Sequence, residues 1–131
     1  MRLPWIGTEI FEFLADNTVV EWGEVKTKKG DYISTIGVED RCRNYGVIKG
    51  LNLGRKGIKE VNHSHPRGTY PSDADYRNAS DIEKLTGYSV EFNVYVPLPV
   101  RNQKDKNGHW INYYPYTTKL NTKWLELFND F

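Results

Sequence analysis

Residues Ile58 to Ser64 read as a β-strand that runs into His63-Ser64-His65-Pro66, and Ser72 to Leu85 reads as a helix opened by Ser72-Asp73-Ala74-Asp75. No other stretch of the chain constrains the fold as tightly. In a strand, residues i and i+2 share a face, so His63 and His65 present their rings to one point while Ser64 faces away. Pro66 cannot donate to a ladder and stops the strand, and Arg67-Gly68-Thr69-Tyr70-Pro71 can turn the chain back. The helix carries Tyr76, Ala79, Ile82 and Leu85 spaced three apart, and Val90 to Val96 (VEFNVYV) alternates as a following strand does.

The rest of the chain supplies further short elements. Thr8 to Ala15 reads as a helix, and Thr18 to Thr27 and Tyr32 to Val38 as a hairpin around Lys28-Lys29-Gly30-Asp31. Arg41 to Gly57 carries glycines at 46, 50, 54 and 57 and reads as irregular, with one short strand near Val47 to Leu53. Pro97 to Gly108 is a polar turn region, His109 to Tyr114 another strand, and Lys123 to Phe131 a short aromatic tail. Strands and helices mixed in this way indicate an α/β or α+β sheet covered by helices. With 131 residues, 38% of them hydrophobic, the expectation is a single domain over residues 1–131.

Two imidazoles and a carboxylate are ligands suited to zinc, and three protein ligands leave a fourth position open for water, which separates a catalytic site from a structural one. Zinc held in this way can lower the pKa of a bound water to roughly 7. An H-x-H pair alone also arises by chance. Ser72-x-x-Asp75 matches the helix capping box, which by itself accounts for both residues, and for Asp75 capping and metal binding compete for the same oxygens. Asp73 is the alternative ligand. A proton acceptor is also needed, and Glu21 in Val19-Val20-Glu21-Trp22-Gly23 is the candidate, because a charge in an apolar strand is costly unless exposed or employed. A solvent-facing strand position is the competing explanation for Glu21. Glu24 is its neighbour on the opposite strand face.

Glu21, His63-Ser64-His65-Pro66 and Ser72-x-x-Asp75, in that order, resemble the signature of the JAB/MPN/JAMM zinc metallopeptidase family: an upstream Glu, then H-[S/T]-H-P, then S-x-x-D. The stretch between His65 and Asp75, residues 66–74, is one residue shorter than in the family pattern. The likeness runs from the Asp16-to-Trp22 entry to the strand after the helix and leaves out the last third. Within the family the chain resembles the JAB-like toxin domains at the C-termini of bacterial polymorphic toxins, including Rhs-type proteins. The resemblance implies a deaminase-like α/β fold, a mixed sheet flanked by helices, with one zinc ion per domain held by His63, His65 and Asp75. It implies Glu21 as the general base, Ser72 as a hydrogen-bond donor to the oxyanion, and cleavage of peptide or isopeptide bonds. The implied partners are a protein substrate and a cognate immunity protein. The domain would be secreted or translocated within a larger toxin and act in the target-cell cytoplasm. A second, structural zinc of His and Cys, which some relatives carry, cannot be assembled in its usual form from His109 and Cys42 alone.

Composition bears on the alternatives. A net charge of +1, from 18 basic and 17 acidic residues, offers no footprint for a phosphate backbone, so no nucleic acid partner is expected. A metal-dependent nuclease toxin is accordingly the weaker alternative, with Lys49 to Lys59 (KGLNLGRKGIK) as its basic segment. A non-catalytic protein-binding module of the same fold is the other. No apolar run approaches the ~20 residues that span a bilayer. Met1-Arg2-Leu3-Pro4-Trp5 lacks the apolar core of a signal peptide, so export would depend on something else, and the chain could be a piece of a longer protein. Cys42 has no partner for a disulfide and no free histidine to activate it as a nucleophile. Trp5, Trp22, Trp110 and Trp124 read as packing residues, His109 as a satisfied strand residue, and Tyr113, Tyr114 and Tyr116 as an exposed aromatic patch that could bind an immunity protein or substrate.

Overall fold

Successive side chains of a strand point to opposite faces, and in this sheet both faces are packed. The computed structural model describes residues 2–3, 7–119 and 123–128. Strands β1 (Arg2–Leu3), β2 (Gly23–Thr27), β3 (Gly30–Ser34), β4 (Ile58–Ser64), β5 (Glu91–Tyr95) and β6 (Tyr113–Tyr116) form one mixed sheet in the order β1-β3-β2-β4-β5-β6. Only β4 and β5 pair in parallel, and helix α3 (Asp73–Thr86) makes the long crossover that a parallel pair requires. This is the mixed sheet with flanking helices that the resemblance implies.

On one face, Val25, Val61, Phe92, Val94, Tyr114 and Tyr116 pack against Ile48 of α2 (Asn44–Gly50) and against Tyr76, Ala79 and Ile82 of α3. Tyr76, Ala79 and Ile82 recur every third residue, which keeps them on the buried stripe of α3. Leu85, the next in that spacing, lies in the last turn and is exposed. Gly87 ends the helix with φ +83° and donates its amide to the Glu83 carbonyl at 2.8 Å, a left-handed cap that favours glycine. The other face carries α1 (Gly7–Asp16), whose Phe11 and Ala15 pack on Ile33 and Tyr95.

Several elements differ from the sequence expectation. The strand expected over 18–27 enters the ladder only at Gly23, because residues 17 and 18 are spent closing α1: Asn17 N–H bonds the Phe13 carbonyl and Thr18 Oγ1 the Leu14 carbonyl. The strand expected near 47–53 is instead α2 followed by a 3₁₀ turn at Leu53–Lys56. Glycines 46 and 50 weaken the helical signal there, but burial of Ile48 and Leu53 in the core outweighs local propensity. The last strand lies at Tyr113–Tyr116 rather than 109–114, and Trp110 makes only an isolated bridge to Lys104. Pro115 is tolerated because β6 is the edge strand of the sheet among the described residues.

The aromatic patch is also corrected: Tyr114 and Tyr116 are buried in the core and Tyr113 is half-buried, its hydroxyl donating to Glu12 at 2.7 Å. Trp110 is exposed, with Lys104 over its ring, while Trp22 and Trp124 are half-buried. His109 is exposed beside Asp105 and outside any strand. Trp5 and residues 129–131 of the tail lie outside the described residues, whereas Lys123–Leu127 forms a 3₁₀ helix.

Candidate metal centre

The site is assembled at the ends of β2, β4 and the start of α3. Gly23 pairs with His63 across the antiparallel β2–β4 ladder, which brings the residues just before β2 beside the histidines. Ser64, facing away from the rings, ties that entry segment down: its Oγ accepts the Trp22 amide at 2.9 Å and its own amide donates to the Trp22 carbonyl at 2.9 Å. Glu21 is thereby held over the histidine pair, with its amide donating to the Val38 carbonyl at 2.7 Å and its carbonyl accepting from Thr35 Oγ1 at 2.6 Å. Glu21 is 6% exposed, so the solvent-facing explanation does not hold. Glu24 is fully buried on the opposite face and receives hydrogen bonds from Thr8 and Asn62 at 3.0 Å.

Glu21, His63 and His65 offer ligand atoms within 4.8 Å of one another, and the three can hold a metal ion. Asp75 approaches from α3, its Oδ1 3.0 Å from His63 Nε2 and its Oδ2 3.2 Å from His65 Nε2. The two Nε2 atoms are 3.0 Å apart. Ligands at 2.0–2.2 Å around a tetrahedral ion stand roughly 3.3 to 3.6 Å from one another, so the two nitrogens are a few tenths of an ångström closer than two ligands of one ion, and each faces a different oxygen of Asp75.

The imidazoles are oriented from behind. His65 Nδ1 lies 2.9 Å from the Thr69 carbonyl, which can only accept, so Nδ1 carries the hydrogen and in the neutral ring Nε2 turns its lone pair to the cluster. The Thr69 hydroxyl lies 3.0 Å from the same nitrogen. Gly68 makes this turn possible with φ +72°, where a Cβ would come within 2.8 Å of the Val100 carbonyl. His63 Nδ1 has the Tyr116 hydroxyl at 3.4 Å, and the two rings meet edge to face at 6.0 Å.

Ser72 and Asp75 form a complete capping box: Ser72 Oγ accepts the Asp75 amide at 3.4 Å and the Ser72 amide donates to Asp75 Oδ2 at 2.8 Å. The cap engages Oδ2 and leaves Oδ1 directed at His63, so capping does not occupy both oxygens of the carboxylate. Asp73 is exposed and lines a separate hollow with Arg77 and Thr118.

Electrostatics separates the two carboxyls. Burial works to raise the Asp75 pKa, but His63 and His65 outweigh it and hold the group well below the usual carboxylate range. For Glu21 burial prevails, offset in part by His63 and His65 and reinforced by Asp75 and Asp40, and the pKa is raised. Burial pulls His65 down, yet its bonds to Asp75 and Thr69 leave it raised. Cys42 sits within electrostatic reach of Glu21 and Asp75, and burial pushes its thiol up to about 12, so it stays protonated and is no nucleophile.

A cleft of about 310 Å³ opens beside the cluster, lined by Glu21, His65, Thr69 and Ser72 and by Glu39, Asp40 and Arg67 from the two loops above them. A model of the JAB-like toxin 1 family matches residues 6–86, more than half of the chain. The chain belongs to the JAB-like toxin 1 family. No curated protein matches it. The match spans α1 to α3 and so contains Glu21, His63, His65, Thr69, Ser72 and Asp75 of this JAB-like toxin domain, whereas Tyr116 lies beyond it. Tyr116, Thr69, Glu39 and Asp40 carry no local motif; Tyr116 is brought to His63 by β5–β6 pairing, and the others by loop geometry. No helix among the described residues is long and apolar enough to cross a membrane.

Proposed function

We propose that this JAB-like toxin domain is a zinc-dependent peptidase or isopeptidase, the effector portion of a larger bacterial polymorphic toxin that is exported and acts in the target-cell cytoplasm. The observation that carries the reading is the convergence of His63 Nε2 and His65 Nε2, 3.0 Å apart, on the Asp75 carboxylate, whose two oxygens stand 3.0 and 3.2 Å from them, beside the buried Glu21. His63, His65 and Asp75 would hold the ion, which when bound supplies a Lewis-acidic centre with an open coordination position.

Glu21 is the proton carrier of this scheme. Its carboxylate takes a proton from the attacking water and returns it to the leaving amine, and its raised pKa moves it toward the range in which one group can perform both transfers. The Ser72 hydroxyl accepts from the Asp75 amide with its oxygen, which leaves its hydrogen to donate to the oxyanion forming on the substrate carbonyl. The substrate would be a protein, and a cognate immunity protein would cover the cleft in the producing cell.

Metal analysis and proteolysis together test this. Purified domain should carry one zinc and should cut proteins in a target-cell lysate, read by mass spectrometry of new termini, while Glu21→Ala should keep the zinc and lose the cuts. Stoichiometric zinc with no cleavage of any protein would favour a non-catalytic binding module of the same fold. Chelator-sensitive degradation of RNA or plasmid DNA would favour a nuclease.

A further inference from the structure

Which substrate residue meets the cleft can be read from its walls, an inference that rests on the peptidase reading above. One wall is the segment between β3 and α2, which supplies Glu39 and Asp40, and the other is the loop after β4, which supplies Pro66, Arg67 and Thr69. Pro66 is the only apolar side chain among them, so the cleft offers little to a bulky apolar residue. Its charges do not balance. Arg67 is committed to Glu39, with Nη2 2.7 Å from Oε1, and this pair links the two walls. Among the described residues Asp40 is paired with its chain neighbour Arg41 alone, at 3.7 Å, and both side chains are about three-quarters exposed, 77% and 74%, so the contact is screened and weak. The Asp40 carboxylate is therefore left open on the cleft wall, within electrostatic reach of Glu21.

We propose that the cleft selects polypeptide substrates with a lysine or arginine beside the bond to be cut, and that Asp40 is the residue that chooses it. An ammonium or guanidinium there pairs with Asp40 and can share Glu39 with Arg67. An acidic side chain in the same place meets Glu39, Asp40 and Glu21 together, so discrimination comes from repulsion as much as from attraction. Asp40 is a specificity residue and takes no part in proton transfer.

Binding and cutting are measured separately. Zinc-loaded Glu21→Gln protein is titrated into a fluorescein-labelled alanine octapeptide with one central arginine, and into its glutamate counterpart, at low salt. The arginine peptide should bind about 3- to 10-fold more tightly, Asp40→Asn should remove most of that preference, and Asp40→Lys should reverse it. Because Asp40 is exposed, neither substitution disturbs the core. In parallel, the unaltered domain digests a random peptide library, and the cut sites should be enriched in lysine or arginine on one side. Equal binding of the two peptides, or an arginine preference that survives Asp40→Lys, overturns the inference. Cutting without charge preference overturns it too and leaves the peptidase reading standing. An arginine preference in binding that follows Asp40, with no peptide cut, upholds the cation-selecting cleft and defeats the peptidase reading.

Discussion

Asp75 Oδ2 accepts the backbone amide of Ser72 at 2.8 Å, while Oδ1 of the same carboxylate stands 3.0 Å from His63 Nε2. The start of α3 and the histidine pair are thus held by one side chain, so folding of the helix N-terminus and preorganisation of the candidate site are coupled. The loop that is one residue short still delivers the carboxylate, because the cap fixes Asp75 relative to Ser72.

Asp75→Ala should therefore have two separable effects. Loss of the cap interaction should cost about 0.5 to 2 kcal/mol in thermal or urea unfolding with chelator present. Zinc affinity, measured by competition with a chromophoric chelator, should fall at least tenfold. Ser72→Ala should reproduce a stability loss of similar size and leave zinc binding much less affected.

Glu21→Gln should retain zinc and reduce turnover by about 10²- to 10⁴-fold, the usual contribution of a positioned general base. Because burial raises the Glu21 pKa by more than His63 and His65 lower it, removing this carboxylate should leave the metal-free protein at least as stable as the parent at neutral pH. Parallel metal content, melting temperature and cleavage rate check the three statements.

Tyr116→Phe keeps the buried ring and removes the hydroxyl 3.4 Å from His63 Nδ1. Groups behind a ligating histidine commonly account for 10- to 100-fold in metal affinity. The long contact places the expected loss at about tenfold or less, with the melting temperature of the metal-free protein nearly unchanged.

The opposite face supplies a pH prediction independent of the metal. Glu24 is fully buried and its pKa is pushed up to about 7 by burial, with Asp31 adding to the rise and Asn62 opposing it; burial also raises Asp31. A carboxyl whose folded-state pKa is raised contributes stability that is full below the unfolded value and lost as pH rises through the folded one. Stability of the chelated protein should fall between about pH 4.5 and 7. Glu24→Gln should be more stable than the parent above pH 7, by on the order of 1 to 3 kcal/mol, with the advantage gone near pH 4. Urea unfolding across this pH range measures the difference, in which the titrations common to both proteins cancel.

The parts legible in the sequence are those governed by short-range rules. Residues 58–64 run into a histidine pair spaced i, i+2, Pro66 cannot continue a ladder, and Ser72-x-x-Asp75 is a cap whose geometry is local, so the end of β4 and the start of α3 follow from the letters. Residues 44–50 did not reveal their helix, because two glycines blur its pattern and the decision rests on burial of Ile48 against the sheet. Pro115 and the run of tyrosines likewise disguise β6, which exists because β5 offers it an edge to pair with.

By itself the sequence determined which side chains could form the site: two histidines on one strand face, a cap-forming aspartate and an upstream glutamate in family order. Only the tertiary structure decided that they converge. The β2–β4 register brings Gly23 opposite His63 and the paired bonds of Trp22 and Ser64 lock Glu21 above it; the parallel β4–β5 pair sets the crossover that returns α3 to the histidines. Glu39 and Asp40 become walls of the cleft in the same way, through contacts between segments far apart in the chain, whose energies depend on packing and strand pairing and leave no local pattern to read.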